Sequence, residues 1–212
     1  MTDVRDNWER HWEEYAASAQ ENPAQAYRRR LVFSALDLPD CGAARILDIG
    51  SGQGDFAAAL RAWRPNAQIL GLELSQSGVD IAARKVPGAR FARRDLLAYD
   101  PVPQEQRNWA THAVCSEVLE HLDDPERLLR NARAYMAPGC RLVVTVPGGP
   151  MSAFDRHIGH RRHFTASDLS GVLTAAGFSN VLITGAGFPF FNLYRCVVIL
   201  RGRKLIEDVR AG

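Results

Sequence analysis

The 212-residue sequence contains little lysine and no closely paired cysteines. Lys85 and Lys204 are its only lysines among 26 basic residues, so arginine carries almost all of the positive charge, and the net charge is only +2. A balance this mild does not indicate a nucleic acid as partner. The four cysteines include no C-x-x-C pair, which argues against a zinc site and against a disulfide framework.

Long apolar runs are also missing. No stretch of about 18 apolar residues suggests a membrane span, and the chain opens on charged residues rather than on the apolar core of a secretory signal. We therefore expect a cytoplasmic protein without stable membrane insertion. The length suits one α/β domain with a sizeable core.

The most informative stretch is Arg45–Leu60, in which an apolar strand breaks into a glycine loop and re-enters a helix. Gly50, Gly52 and Gly54 alternate with Ser51 and Gln53. Glycines at every second position let the backbone turn tightly and approach a ligand, and the following helix presents free N–H groups to the same place. The stretch predicts a ligand-binding loop.

Two carboxylates beside this loop indicate the charge of the ligand. In a dinucleotide fingerprint the third glycine would occupy the position of Asp55, and Asp48 stands just before the loop. A pyrophosphate at the helix N-terminus would be repelled by Asp55, whereas a cation would not. S-adenosylmethionine fits, because it is a nucleoside with a sulfonium and an ammonium group but no phosphate.

Four segments of the chain resemble motifs of class I S-adenosylmethionine-dependent methyltransferases, of the bacterial small-molecule type. They are Leu47–Gly54, Ile69–Ser75, Ala92–Leu96 and Glu117–Pro125. The resemblance covers about residues 45 to 185 and implies a Rossmann-like, doubly wound, mostly parallel sheet. The family's antiparallel seventh strand has no obvious counterpart, so that strand is absent or the chain is shorter than the natural product.

Alternating apolar and helical patterns agree with that fold. We predict strands near 45–49, 68–72, 89–92, 110–116, 141–146 and 179–185. We predict helices at 5–20, from Pro23 to Leu36, and near 54–63, 76–85, 125–136, 167–176 and 192–200. The domain limits are 1–40 for N-terminal helices, 41–185 for the cofactor-binding domain and 186–212 for an apolar helix and tail.

The predicted cofactor residues follow the ends of strands one to four, where ligands of such sheets bind. Glu73 would accept hydrogen bonds from both ribose hydroxyls or be a surface acid, and Asp95 would meet the adenine or cap a turn. Asp48 would favour the methionine ammonium or order the loop. The complete set is Asp48, Gly50, Ser51, Gly52, Gly54, Glu73, Leu74, Asp95, Leu96, Ser116 and Glu117.

The acceptor side is harder to predict, because methyl transfer requires a general base only when the nucleophile arrives protonated. Our candidates are His157, His160, His121 and Glu117. His121 would serve as a base or as a hydrogen-bonding group that holds a loop or caps a helix. The stretch 155–165 is similar to an acceptor-side loop of the family, where catalysis, acceptor binding and loop packing are all open.

The histidines of this loop are also candidates for a metal site. If the loop were helical, His157, His160 and His163 would share one face, with Asp155 as a fourth ligand. Gly159 and the preceding proline and glycine run favour a loop instead. We therefore predict no metal here, and we predict that Thr165 caps the next helix with Asp168.

Both ends of the chain leave alternatives open. Trp8, Trp12 and Tyr15 have helical spacing and would pack onto the domain or form part of a lid. The apolar helix 192–200 has basic flanks and would pack as core, form a dimer contact or touch a membrane surface. The arginine clusters at 28–30 and 161–162 are interpreted as solvated faces with local salt bridges. A monomer or a homodimer is expected.

The sequence therefore predicts methyl transfer from S-adenosylmethionine to a small-molecule acceptor, with oxygen as the first choice of accepting atom. Three alternatives are kept. An RNA or protein methyltransferase is disfavoured, because no Asn/Asp-Pro-Pro-aromatic motif follows strand four. A non-catalytic or regulatory S-adenosylmethionine-binding protein would bind the cofactor without turnover. An NAD-dependent oxidoreductase is opposed by Asp55.

Overall fold

A computed structural model describes residues 23–39, 44–98 and 100–187 of the chain. These residues belong to two compact units. The first comprises the chain up to Val118 together with Arg127–Thr145, and the second comprises Leu119–Glu126 and the chain from Val146 onward. The predicted helices at 5–20 and 192–200, including the proposed lid, lie outside the described residues.

The first unit is built on a five-stranded parallel sheet in the order β3-β2-β1-β4-β5. Its strands are β1 (Arg45–Ile49), β2 (Gln68–Glu73), β3 (Arg90–Arg93), β4 (Ala110–Ser116) and β5 (Met136–Thr145). The chain winds from β1 outward to β3 and then returns to the other side of β1. The switch point between β1 and β4 is where ligands of such sheets bind, so the predicted doubly wound fold is confirmed.

The helices of this unit occur where they were predicted, one before the first strand and the others between strands. They are α1 (Pro23–Leu36), α2 (Asp55–Trp63), α3 (Gln76–Lys85) and α4 (Pro125–Ala132). The helix predicted at 125–136 ends earlier, at Ala132, because a 3₁₀ turn over Arg133–Tyr135 leads directly into β5. β5 therefore begins at Met136 rather than at residue 141.

An irregular stretch explains the early start of β5. Ala110 pairs with Met136 and His112 pairs with Arg141, so β5 advances five residues while β4 advances two. The extra residues contain Pro138, which has no N–H to donate, and Gly139, whose φ is +77°. Strand patterns alone do not reveal this bulge, because the apolar alternation resumes only after it.

The core of the first unit lies between the sheet and its helices. Ile46 of β1 and Ile69 of β2 are buried against Leu60 of α2 and Val32 of α1. Both faces of the central strands are covered, which is why β1 and β2 are almost continuously apolar rather than alternating. This packing holds the carboxyl ends of β1 and β2 in a rigid position for the loops that follow.

Within the residues that the structure describes, the second unit contains a 3₁₀ turn (Leu119–His121) and two helices, α5 (Ala153–His157) and α6 (Ala166–Ala175). Both helices begin with a capping box. Thr165 and Asp168 cap α6 as predicted. Ser152 and Asp155 cap α5 in the same way, and the pattern Ser-x-x-Asp in the sequence could have revealed this second cap.

The sixth strand predicted at 179–185 is not present among the described residues. Residues 181–186 have no regular secondary structure, and Leu182 is 86% exposed. Val181–Thr184 has strong β-propensity, but propensity describes only how well side chains suit a pleated surface. A strand also needs a hydrogen-bonding neighbour, and local sequence does not specify one.

Within the described ranges, no helix combines the length and the apolar character that crossing a membrane requires.

A glycine in β2 provides a test of the core. A Cβ added to Gly71 would lie 2.4 Å from Cδ1 of Phe91 and 2.8 Å from Oγ of Ser51. We expect Gly71→Ala to lower the free energy of unfolding by about 1–3 kcal/mol, because the ring must move within a packed core. Urea unfolding measures this.

The matched control is Gly171→Ala in α6, where an added Cβ meets nothing within 4 Å. That substitution should be neutral or should stabilise by up to roughly 1 kcal/mol, because alanine favours a helix. Equal effects at the two positions would contradict the packing described here.

Candidate functional site

The glycine loop after β1 has the tight backbone that the sequence predicts. Gly50, Gly52 and Gly54 have φ of +70°, +51° and +81°, which side chains rarely adopt. A Cβ on Gly50 would lie 2.5 Å from Cγ2 of Val118. The N–H groups of Gly50 and Ser51 both donate to the carbonyl oxygen of Leu72, at 2.8 and 3.1 Å. The loop is therefore tied to the end of β2.

Glu73, the last residue of β2, holds the same loop through its side chain. Its Oε2 accepts a hydrogen bond from the N–H of Gly52 at 2.8 Å, and its Oε1 accepts one from the N–H of Ser75 at 3.0 Å. The carboxylate is 6% exposed. Each carboxylate oxygen can accept two hydrogen bonds, so binding the loop is compatible with also binding a ligand hydroxyl. Sequence reasoning missed this clamping role.

Asp48 lies deep in the sheet beside that clamp and is 3% exposed. Burial, and secondarily the charge of Glu73, raise the pKa of Asp48 from 3.8 to about 7. Its Oδ2 and the Oγ of Ser51 have no hydrogen-bond partner among the described residues. A ligand that brings a positive charge and hydrogen-bond donors would satisfy both atoms.

Asp55, at the start of α2, opposes a pyrophosphate ligand less strongly than the sequence suggested. Its Oδ1 is 2.8 Å from Nζ of Lys85, and its Oδ2 accepts from Nε2 of Gln53 at 3.0 Å. The ion pair offsets the negative charge that was expected to repel a pyrophosphate. Lys85 is 30 residues away in sequence, so the pairing was not visible there.

At the end of β3, Asp95 organises a turn. Its Oδ1 accepts from the N–H groups of Leu97 and Ala98, at 2.9 and 3.3 Å, which is the turn-capping alternative named above. Asp95 and Leu96 are half-buried, and Leu74 at the end of the neighbouring β2 is 38% exposed. Leu74 therefore offers an apolar surface beside the clamp.

The end of β4 carries Ser116 and Glu117. Oγ of Ser116 is 2.7 Å from Oγ1 of Thr145, which donates to Oε1 of Glu117 at 3.2 Å. Oε2 of Glu117 is 2.9 Å from Nη2 of Arg28 in α1. Glu117 also has a φ of +57°, a backbone that is strained for a residue with a side chain.

This ion pair bears on the predicted role of Glu117. Both carboxylate oxygens of Glu117 are already engaged, Oε2 with the Arg28 guanidinium and Oε1 with the Thr145 hydroxyl. The structure therefore suits Glu117 for positioning better than for proton abstraction. The cluster that contains Arg28 was interpreted from sequence as a solvated helix face with local salt bridges, and nothing in its local pattern indicates a partner as distant as Glu117.

The second unit gathers a cluster of histidines and carboxylates. The ring centroids of His121 and His160 are 4.8 Å apart and their planes are nearly perpendicular. Nδ1 of His160 is 3.1 Å from Nε2 of His163, and Nε2 of His163 is 3.7 Å from Oδ2 of Asp155. His163 is almost fully buried, with a side-chain exposure of 4%.

His157 does not join this histidine cluster. It ends α5 and is exposed, and the chain after it forms a loop, as predicted, rather than a helix. Its neighbours Arg161 and Arg162 bind Asp123, the first through an ion pair and the second through the backbone carbonyl at 3.0 Å. The second arginine cluster thus forms an ion pair with an acid 38 residues away rather than with a local one.

The predicted cofactor residues thus lie together at the carboxyl ends of the adjacent strands β1 to β4, all within the first unit. Of the predicted acceptor-side residues, Glu117 belongs to this unit, whereas His121, His157 and His160 belong to the second. The position of the first group at the strand ends agrees with the sequence analysis, because parallel strands end at one edge of the sheet, and its role in cofactor binding stays a prediction.

Comparisons with known proteins agree with this geometry. A family model described as a methyltransferase domain matches residues 13–183. Trans-aconitate 2-methyltransferase of Methylobacterium nodulans is 33% identical over 110 residues, which are 52% of this chain and 41% of that protein. Demethylmenaquinone methyltransferase of Thermus thermophilus is 34% identical over 133 residues, which are 60% of this chain and 57% of that protein. The chain thus spans less than two thirds of either relative.

One similar solved structure belongs to a protein with a different activity, a cyclase. The crystal structure of the 4+2 cyclase SpnF has a TM-score of 0.57 and 30% sequence identity, and covers 71% of this chain and 57% of that one.

The buried Asp48 predicts a pH dependence of stability in the absence of ligand. Because its pKa is about 7 in the folded chain and near 3.8 when unfolded, the folded state holds the extra proton between these values. The free energy of unfolding should therefore fall as pH rises from 4 to 7, by at most about 1.4 kcal/mol per pH unit.

Asp48→Asn should flatten this dependence and be the more stable protein above pH 7, as measured by urea unfolding across the range. The control Asp80→Asn changes an exposed acid in α3 and should keep the slope of the wild type. An unchanged slope in Asp48→Asn would contradict the assignment.

Proposed function

The chain belongs to the methyltransferase domain family of the class I S-adenosylmethionine-dependent type, and we propose that it transfers a methyl group from S-adenosylmethionine to a small-molecule acceptor. The observation that carries the proposal is the glycine loop clamped by Glu73 beside two buried polar atoms without partners, Oδ2 of Asp48 and Oγ of Ser51. The relatives named above act on trans-aconitate and demethylmenaquinone, which supports a small acceptor.

The chemistry of these residues fits the methionine portion of S-adenosylmethionine. Asp48 would accept hydrogen bonds from the ammonium group, whose positive charge offsets the repulsion between Asp48 and Glu73. Because the loop from Gly50 to Gly54 carries few side chains, its backbone N–H groups would approach the methionine portion closely. Ser51 and Ser116 would add hydroxyl contacts at the same edge of the sheet.

The nucleoside portion would extend along the ends of β2 and β3. Glu73 would accept from the ribose hydroxyls in addition to the backbone N–H groups, because each carboxylate oxygen can accept two hydrogen bonds. Leu74 would pack against the adenine ring, and Asp95 with the N–H of Leu96 would meet its polar edge. Because Oδ1 of Asp95 already caps a turn, its second oxygen is the better candidate for that contact.

When bound, S-adenosylmethionine supplies an activated methyl group on a sulfonium. The protein then has to hold a nucleophile in line with the S–CH3 bond and exclude water. Oxygen is our proposed accepting atom. A hydroxyl acceptor needs a base, for which His121, His160 and His157 are the candidates, and Glu117, paired with Arg28, would orient rather than deprotonate.

A second candidate function has one supporting observation. The structure of SpnF is that of a cyclase and is 30% identical in sequence, so a chain of this fold can serve an activity other than methyl transfer. The corresponding proposal is a protein that binds S-adenosylmethionine without transferring its methyl group. The cytoplasmic location and the monomeric or dimeric state stay predictions.

Cofactor binding tests the clamp directly. S-adenosylhomocysteine should bind the purified chain with micromolar affinity by calorimetry, and NAD should not. Glu73→Gln should weaken binding about tenfold or more, because an amide N–H₂ cannot accept from the loop or the ribose and one charged hydrogen bond is lost.

The control for that variant is Glu105→Gln, which neutralises an exposed acid in a 3₁₀ turn and should bind like the wild type. Wild-type affinity in Glu73→Gln, or a preference for NAD, would argue against the assigned cofactor site.

Turnover distinguishes the two candidate functions. We expect S-adenosylhomocysteine to form from S-adenosylmethionine only in the presence of an acceptor, with carboxylic acids and hydroxylated rings as the first panel. Mass spectrometry detects the methylated acceptor, and NMR identifies the accepting atom. Tight cofactor binding with no product from the whole panel would favour the second candidate.

A further inference from the structure

The histidine cluster of the second unit has the composition of a metal site. One nitrogen each of His121 and His160 and one carboxylate oxygen of Glu120 all lie within 4.8 Å of one another. We propose that these three side chains bind one divalent first-row transition-metal ion, such as Zn²⁺, Mn²⁺ or Fe²⁺. Two imidazoles with one carboxylate are a ligand set that such ions favour.

The hydrogen bonds around His160 prepare one of its nitrogens for coordination. Nδ1 of His163 is 3.1 Å from the carbonyl oxygen of Gly149, which can only accept, so Nδ1 carries the proton in the neutral ring. Nε2 of His163 is then the acceptor for Nδ1–H of His160, at 3.1 Å. The lone pair of His160 is left on Nε2, as in histidines whose second nitrogen is held by an outer partner.

Glu120 is a buried carboxylate held beside the two histidines. Its side chain has no exposed surface, and an ionised carboxylate in such a place is costly unless positive charge or hydrogen bonds offset it. The backbone holds this residue against the histidine loop, because its carbonyl oxygen accepts from the N–H groups of Arg161 and Arg162 at 2.8 and 3.3 Å. The Glu120 carboxylate is therefore held where it could bind a cation together with His121 and His160.

The three ligand atoms would have to move only modestly closer together to bind one metal ion. Ligand atoms around a tetrahedral zinc ion are about 3.4 Å apart, given bonds of about 2.0–2.1 Å. The near-perpendicular rings of His121 and His160, 4.8 Å apart between centroids, let two nitrogens converge without stacking. The remaining coordination positions would hold water or a ligand.

A competing set shares His160 but is less suited. Asp155 with His160 and His163 also lies within 4.8 Å. However, Oδ2 of Asp155 already accepts from the N–H of Ser152 at 2.7 Å in the capping box of α5. Nδ1 of His160 and Nε2 of His163 are also at hydrogen-bond distance from each other. We therefore assign these residues to the outer shell.

This proposal replaces the prediction of no metal. It also assigns His121 and His160 as ligands rather than as general bases, because a nitrogen lone pair that binds a metal cannot accept a proton, and it leaves His157 as the base candidate. The sequence reasoning considered only the loop from Asp155 to His163, whereas the proposed ligands Glu120 and His121 come from a turn almost 40 residues earlier. His157, the first histidine of that loop, is not a ligand.

Metal content and cobalt spectroscopy of the full chain test the proposal. After loading with Zn²⁺ and dialysis, elemental analysis should give one equivalent in the wild type and in His157→Ala. Titration of metal-free protein with Co²⁺ should produce visible d–d bands. His121→Ala and His160→Ala should lose them, and His163→Gln should weaken Co²⁺ binding by about 10–100-fold.

A second variant keeps the test decisive if the alanine variants fold poorly. In His160→Cys a thiolate replaces the imidazole, and a cobalt–thiolate charge-transfer band absent from the wild type would support the ligand assignment directly. Circular dichroism and S-adenosylhomocysteine binding, measured without metal, separate a failed fold or a failed cofactor assignment from a failed metal site.

Three results would overturn the proposal: no metal in the loaded wild type, equal Co²⁺ binding in His121→Ala, or loss of binding in Asp155→Asn but not in Glu120→Gln. The last result would assign the ion to the competing set.

Discussion

The hydrogen bonds from the N–H groups of Gly52 and Ser75 to the Glu73 carboxylate are the interaction on which the cofactor site depends. They join the loop after β1 to the turn after β2, and the carbonyl of Leu72 adds two more backbone contacts to the same loop. A loop of positive-φ glycines has high conformational entropy when it is not held. The clamp therefore preorganises a backbone that would otherwise have to be ordered by the ligand.

The same site also contains a buried charge that is unfavourable when no ligand is bound. Asp48 is buried beside Glu73, which raises its pKa to about 7 and makes its ionised form costly without a cation. Glu117 holds a left-handed backbone and is secured by Arg28 and Thr145. Buried charges and strained backbone conformations are typical of binding sites, where the ligand or the surrounding fold compensates their unfavourable free energy. A cationic ligand with donor groups is the compensation that Asp48 requires.

In the described part of the second unit, polar contacts rather than a sheet organise the chain. Capping boxes begin both α5 and α6, and the carbonyl of Glu120 receives two N–H groups from the loop between them. A buried carboxylate and three histidines are thereby held close together. The metal proposed for that unit would bind within this network, through the ligand atoms that lie within 4.8 Å of one another.

The sequence by itself determined the succession of strands β1 to β5 along the chain, the glycine loop and the residues at the carboxyl ends of β1 to β4, because these depend on local periodicity and on the parallel arrangement of strands. Tertiary structure alone decided the pairs Arg28–Glu117 and Lys85–Asp55, the clamp of Glu73 on Gly52, and the approach of His121 to His160. It also left residues 181–186 without strand structure, although their pattern is that of a strand. The physical reason is the same in each case: a pattern along the chain reports the preference of a segment, whereas a partner distant in sequence is chosen by packing and charge in three dimensions.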